Sequence, residues 1–187
     1  MGIKIKVKAD FVIFLLLIII FSNTKDMYYV LLFSLLHEIG HISIILLLDM
    51  QIKEITFESF GIKIEPIKKR SSYLKEILLS LSGAICNIVM AVIMYLCSAH
   101  GFMTINLALA AFNLLPLQGN DGHKALTQIL CIFFSQHMGE KIADYISIIT
   151  TVIVIATLGF VVVMQDYSLL AILAAAISVI SIFKRLK

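Results

Sequence analysis

The sequence predicts an all-α polytopic membrane protein, on two observations: an excess of apolar residues, and the way they fall into runs. Of 187 residues, 60% are hydrophobic and only 14% are charged. The mean hydropathy is +1.02. A soluble core of this size could not cover so much apolar surface, whereas a bilayer can. The apolar residues also form about six runs, each near the ~20 residues that a helix needs to cross the hydrocarbon layer. The net charge of +3 is modest. The expected surroundings are lipid, with no nucleic-acid partner.

The first run, Phe11 to Phe21, follows Lys4, Lys6 and Lys8 and has the look of a signal peptide. The next residues, Ser22-Asn23-Thr24-Lys25, offer no small-x-small cleavage site, so the run reads as a retained first span. The second run is Met27 to Leu48. Ile52 to Pro66 then partly alternates apolar and polar residues, with Gly61 supplying a turn or bulge and Pro66 an end. That pattern predicts a short membrane-associated β-hairpin between the second and third spans. The third run is Tyr73 to Ser98. The fourth begins near Phe102 and is interrupted around Asn113 to Gly122. The fifth covers about Ala143 to Met164 and the sixth about Tyr167 to Phe183.

No internal repeat or low-complexity tract divides the chain, so residues 1–187 read as a single membrane-embedded domain. The chain stops soon after the sixth run, and no appended soluble domain is expected. With a cytosolic N-terminus, six spans put every Lys and Arg except Lys25 on the cytosolic side. That asymmetry satisfies the positive-inside rule and places both termini in the cytosol. A four-span alternative would make two runs re-entrant. Cys86, Cys97 and Cys131 form no paired framework and read as small core residues.

The second run contains His37-Glu38-Ile39-Gly40-His41, the pattern HExxH. On a helix, residues four apart share a face, so both imidazoles can bind one tetrahedral zinc ion. Glu38 is rotated by about 100° from His37. It is placed to take a proton from water at the open side of the metal. Ionisable groups inside an apolar run are costly and point to function. Gly40, between the histidines, permits close helix approach.

Catalytic zinc normally takes a third protein ligand. The other histidines are His100, His123 and His137, and His100 sits at the outer membrane boundary, far from the cytosolic half of the second span. The better candidate is Asp121, in the interrupted segment Asn113-Leu114-Leu115-Pro116-Leu117-Gln118-Gly119-Asn120-Asp121-Gly122. Pro116, Gly119 and Gly122 favour broken backbone, which at membrane depth must be buried or line a wet cavity. The plainer alternative is an aspartate that caps the following helix, Gly122 to Phe134.

His37–His41 followed by Asn113, Pro116, Asp121 and Gly122 resembles the site-2 protease family of intramembrane metalloproteases, whose NxxPxxxxDG motif supplies the third zinc ligand. Ser82-Gly83-Ala84-Ile85-Cys86-Asn87 is similar to that family's small-Gly-x-x-x-Asn pattern. These features span roughly residues 27–130, and the hairpin fits the family's layout. The chain departs in having His123 where members often carry a second glycine, and Gly119-Asn120 where many carry a proline. Of the PDZ or CBS domains that many relatives carry, none is expected here. His123 is either a substrate or metal contact, or a polar residue at a helix start.

The resemblance implies one Zn²⁺ ion held by His37, His41 and Asp121, with Glu38 as the base. Asn87 and Asn113 are candidates for holding the substrate backbone or the oxyanion, or else join helices by hydrogen bonds. The implied substrate is a transmembrane or membrane-tethered protein or peptide, and the implied location is a bacterial cell membrane. At 1.5 Å per residue the histidines lie roughly 10–17 Å below the cytosolic surface, so water must enter from that side. Two other classes remain open: a zinc-binding membrane protein without proteolysis, and a transporter using the histidines as an ion or proton relay.

Overall fold

The computed structural model describes residues 4–7, 25–50, 52–58, 61–66 and 72–164. The first and sixth apolar runs, Phe11–Phe21 and Tyr167–Phe183, lie outside the described residues. The chain divides into two compact units, Met1–Leu114 and Leu115–Lys187.

In the first unit, β1 (Lys4–Val7) is followed by α1 (Lys25–Leu47), β2 (Ile52–Glu58), β3 (Gly61–Pro66), α2 (Tyr73–Leu96) and α3 (His100–Leu114). Strands β2 and β3 pair antiparallel, Ile55 opposite Ile64 and Phe57 opposite Ile62, with an irregularity between Ile52 and Glu54. Strand β1 is not among the elements that the sequence pattern predicts. Lys4–Val7 pairs in parallel with β2, Lys4 opposite Glu54 and Val7 opposite Phe57. Its four residues are too short to carry a strand signal of their own. Lys6 instead meets Glu54 at 2.7 Å once the sheet forms. The sheet order is β1-β2-β3.

Tyr28–Leu47 and Tyr73–Leu96 are each long and apolar enough to cross a membrane. Their faces are inverted relative to a soluble protein. On α2 the buried residues are Ser80, Ser82, Gly83, Ala84, Asn87 and Ala91. Ile85, Val89 and Val92 point outward and are more than half exposed. Small and polar residues face the neighbouring helices while large aliphatics face out, as packing in lipid requires. On α1 the buried stripe is Phe33, His37, Gly40, His41 and Ile45, at helical spacing.

Helices α2 and α3 are joined by a tight turn. Ser98 adopts φ 58°, and the Ala99 N–H donates to the Met94 carbonyl at 2.8 Å. So short a link returns the chain antiparallel. Tyr29 and Phe33 of α1 pack on Phe102 of α3, with ring centroids 4.5 Å and 5.9 Å apart. Cys86 is half-buried, its thiol 3.3 Å from the Leu36 carbonyl, but Cys97 at the α2 C-terminus is exposed rather than a core residue.

The second unit opens with irregular backbone. The Leu117 and Asn120 N–H groups donate to the Leu115 and Leu117 carbonyls, and Gly119 takes φ 102°, a left-handed value that suits glycine. Helix α4 (Asp121–Phe133) and the 29-residue α5 (Gln136–Met164) follow and pack together. Thus the interruption expected in the fourth run is real. Helix resumes at Asp121, one residue earlier than expected.

Candidate metal centre

His37 and His41 lie one turn apart on α1 and are 4% and 8% exposed. Their Nε2 atoms face each other at 3.2 Å. Two nitrogens bound to one tetrahedral zinc ion at about 2.0–2.1 Å stand roughly 3.3–3.4 Å apart. The pair is therefore pre-set at close to the spacing that a metal demands.

The other ring nitrogens are held by α2. His41 Nδ1 lies 2.8 Å from the Leu79 carbonyl and 3.0 Å from Ser82 Oγ. The Ser82 hydroxyl itself donates to Leu79 at 2.7 Å. Its oxygen and the carbonyl can therefore both accept a proton from Nδ1. This fixes the Nδ1–H tautomer and leaves the Nε2 lone pair for a metal. His37 Nδ1 lies 3.4 Å from Asn87 Nδ2. Asn87 is fully buried, and its Oδ1 has no hydrogen-bond partner among the described residues.

Two glycines let α1 and α2 approach this closely. A Cβ on Gly40 would lie 2.7 Å from the Ser82 carbonyl oxygen and 2.8 Å from Cys86 Cβ. A Cβ on Gly83 would lie 2.5 Å from His37 Nε2 and 2.6 Å from His41 Nε2. A methyl group there would occupy the space into which the two nitrogens point. Glu38, between the ligands on the same helix, is half-buried.

Asp121 is the first residue of α4 and is buried. Asn120 occupies the cap position, and its side chain makes no capping bond. One carboxylate oxygen of Asp121 meets Lys124 Nζ at 2.8 Å. The i,i+3 spacing of that pair is legible in the sequence. His123 stands in the first turn of α4 with its side chain 14% exposed, its Nε2 3.6 Å from Asp144 of α5. Asn113, near the end of α3, donates Nδ2 to the Leu109 carbonyl at 3.0 Å. His100 is exposed at the start of α3, and His137 is exposed on α5.

The paired imidazoles of His37 and His41 in the first unit and, by the sequence motif, the buried carboxylate of Asp121 in the second are the side chains that could hold a metal ion. Two imidazoles and a carboxylate suit zinc, and zinc sites with three protein ligands keep a fourth position open for chemistry. The facing nitrogens and the bare glycine beside them fit that occupant.

Comparison with solved structures returns the site-2 protease from Methanocaldococcus jannaschii, with a TM-score of 0.67 and 22% identity, covering 94% of this chain and 87% of that one. This chain has the site-2 protease fold. No protein-family model matches the sequence. No curated protein matches it either. The fold is thus recognisable from backbone and helix order where overall sequence similarity has faded. In this chain the elements bearing the expected site-2 protease motifs are α1 for HExxH, α2 for Ser82–Asn87, and the break before α4 for Asp121.

Proposed function

We propose that this chain is a member of the site-2 protease family: an intramembrane zinc metalloprotease that hydrolyses peptide bonds of membrane-embedded or membrane-proximal substrates. One observation carries the reading. The two imidazoles of an apolar helix face each other through Nε2 at 3.2 Å, the spacing for a shared metal ion. Asp121 is the third ligand. Zinc bound there would polarise the scissile carbonyl and make an attacking water more acidic.

Glu38 takes the proton of the attacking water and returns it to the leaving nitrogen. His37 and His41 would hold the metal, while Glu38, about 100° round the helix, would address the reacting side. Asn113 supplies an amide to the substrate backbone or to the developing oxyanion, once Nδ2 leaves the Leu109 carbonyl. A transmembrane substrate must unwind to expose its amide. With β1 pairing one edge of β2, the outer edge of β3 is the hairpin edge that can hold the unwound segment as an added strand. The protein is multi-pass in a bacterial cell membrane, and both termini are cytosolic.

The test is Glu38→Gln in the full chain. The variant should keep its zinc and lose cleavage. Membranes carrying it should accumulate uncleaved single-span proteins relative to the active form. A protein that binds no zinc, or a variant that leaves the membrane proteome unchanged, would overturn the reading. The latter result would favour a passive zinc binder or a transporter.

A further inference from the structure

We propose that Asn87 is a positioning residue that sets the tautomer of His37, its carboxamide turning over when a metal binds; this rests on the metal-site reading above. The logic follows from hydrogen counting. His41 donates its Nδ1 proton to the Leu79 carbonyl and Ser82 hydroxyl, so its neutral ring presents a lone pair at Nε2. His37 Nε2 lies 3.2 Å away. With both rings neutral and no metal between them, two lone pairs would face each other across that distance unless His37 carries its proton on Nε2.

Its Nδ1 is then an acceptor, and Asn87 presents Nδ2 to it at 3.4 Å. The three groups form one relay: the Asn87 amide donates to His37, His37 donates to His41, and His41 donates to the Leu79 carbonyl. The arrangement has a defect. Asn87 is fully buried, and its Oδ1 has no partner among the described residues. A buried orphan acceptor is unfavourable.

Metal binding reverses every requirement at His37. Nε2 must offer its lone pair, so the proton sits on Nδ1, and the group facing Nδ1 must accept. The oxygen and nitrogen of a carboxamide are nearly equal in size and differ in hydrogen-bonding sense. A half-turn about the side-chain amide brings Oδ1 to Nδ1–H as its acceptor and moves Nδ2 to the place that Oδ1 held. Asparagine therefore serves both states, whereas a carboxylate would serve only the loaded one. Burial against the ring nitrogen that faces away from His41 favours this role over direct contact with substrate.

The experiment measures zinc affinity by chelator competition on the purified full chain, comparing the unsubstituted protein with Asn87→Leu, Asn87→Asp and His37→Ala. Leucine keeps the bulk and removes the acceptor; it should weaken zinc binding by about 10–100-fold, the usual effect of losing a ligand's hydrogen-bond partner. Aspartate keeps an acceptor and should retain binding. Asn87→Leu binding as tightly as the unsubstituted protein would overturn the inference, as would Asn87→Asp being as weak as Asn87→Leu.

Should the leucine variant not fold, ¹⁵N-histidine NMR on the unsubstituted protein, with His37→Gln for assignment, still decides. The metal-free His37 should carry its proton on Nε2; a proton on Nδ1 would overturn the exchange. The underlying metal reading fails differently: the unsubstituted protein binds no zinc, or His37→Ala binds it unchanged.

Discussion

At the scale of single residues, the centre is defined by which atoms are kept apart as much as by which meet. Gly83 shows this most directly, because its missing Cβ would lie 2.5–2.6 Å from both facing imidazole nitrogens. Gly83→Ala is expected to abolish zinc binding while the protein still inserts into membranes, measured as metal content per purified chain. In the proposed mechanism Glu38 is the opposite case, a group that would be needed for proton transfer and not for binding. Glu38→Gln should retain zinc and lower turnover by about 10²–10⁴-fold, the range for a lost general base. Hydrolysis of a model single-span substrate, with metal content measured in parallel, checks both halves. The HExxH spacing and the break before Asp121 were legible, because both follow from helix geometry and helix breaking. The partners of the ring nitrogens were not. Leu79 contributes a backbone carbonyl, which any residue type provides. Asn87 acts across a helix pair whose register the sequence does not print.

At the scale of elements, the tight contact between α1 and α2 positions the histidines. Gly40 sits against the Ser82 carbonyl, a backbone atom that cannot swing aside. Gly40→Ala should therefore destabilise the pair by about 1–3 kcal/mol, the cost of overpacking a filled contact. A lowered melting temperature in detergent, with a parallel drop in zinc affinity, is the expected readout. The sheet supports a second prediction. Successive backbone N–H groups along a strand point to opposite edges. Of Ile62→Pro and Lys63→Pro, one removes an outward-facing amide of β3. That variant should impair cleavage and keep zinc; normal turnover in both variants would rule out the added-strand mode. The β2–β3 pair was readable from alternation and Gly61. Strand β1 was not, since its partner lies some fifty residues further along the chain.

For the molecule as a whole, the parallel pairing of β1 with β2 carries a topological consequence. Lys4 and Glu54 are direct neighbours in the sheet, so both strands must lie on one side of the bilayer. Single cysteines at Lys4 and Lys63 should be labelled by an impermeant thiol reagent from the same side, the cytosolic one. Labelling from opposite sides would break the sheet assignment. The outward faces of α1 and α2 give the reason to expect a bilayer: Leu35, Leu46, Val92 and Leu96 are all at least half exposed. Water would not tolerate so continuous an apolar surface.

By itself the sequence determined the apolar runs, the histidine spacing and the breaks. Apolar runs of span length select lipid, the HExxH spacing places two imidazoles on one helix face, and Pro116 with Gly119 forbids continuous helix before Asp121. Each is a local property, readable over a few turns of chain. Only the tertiary structure decided which ring nitrogen of each histidine is engaged, that Gly83 rather than a side chain lies beside them, and that an N-terminal strand completes the sheet. These depend on contacts between segments distant in sequence, where helix register and close backbone approach, not residue type, select the partner.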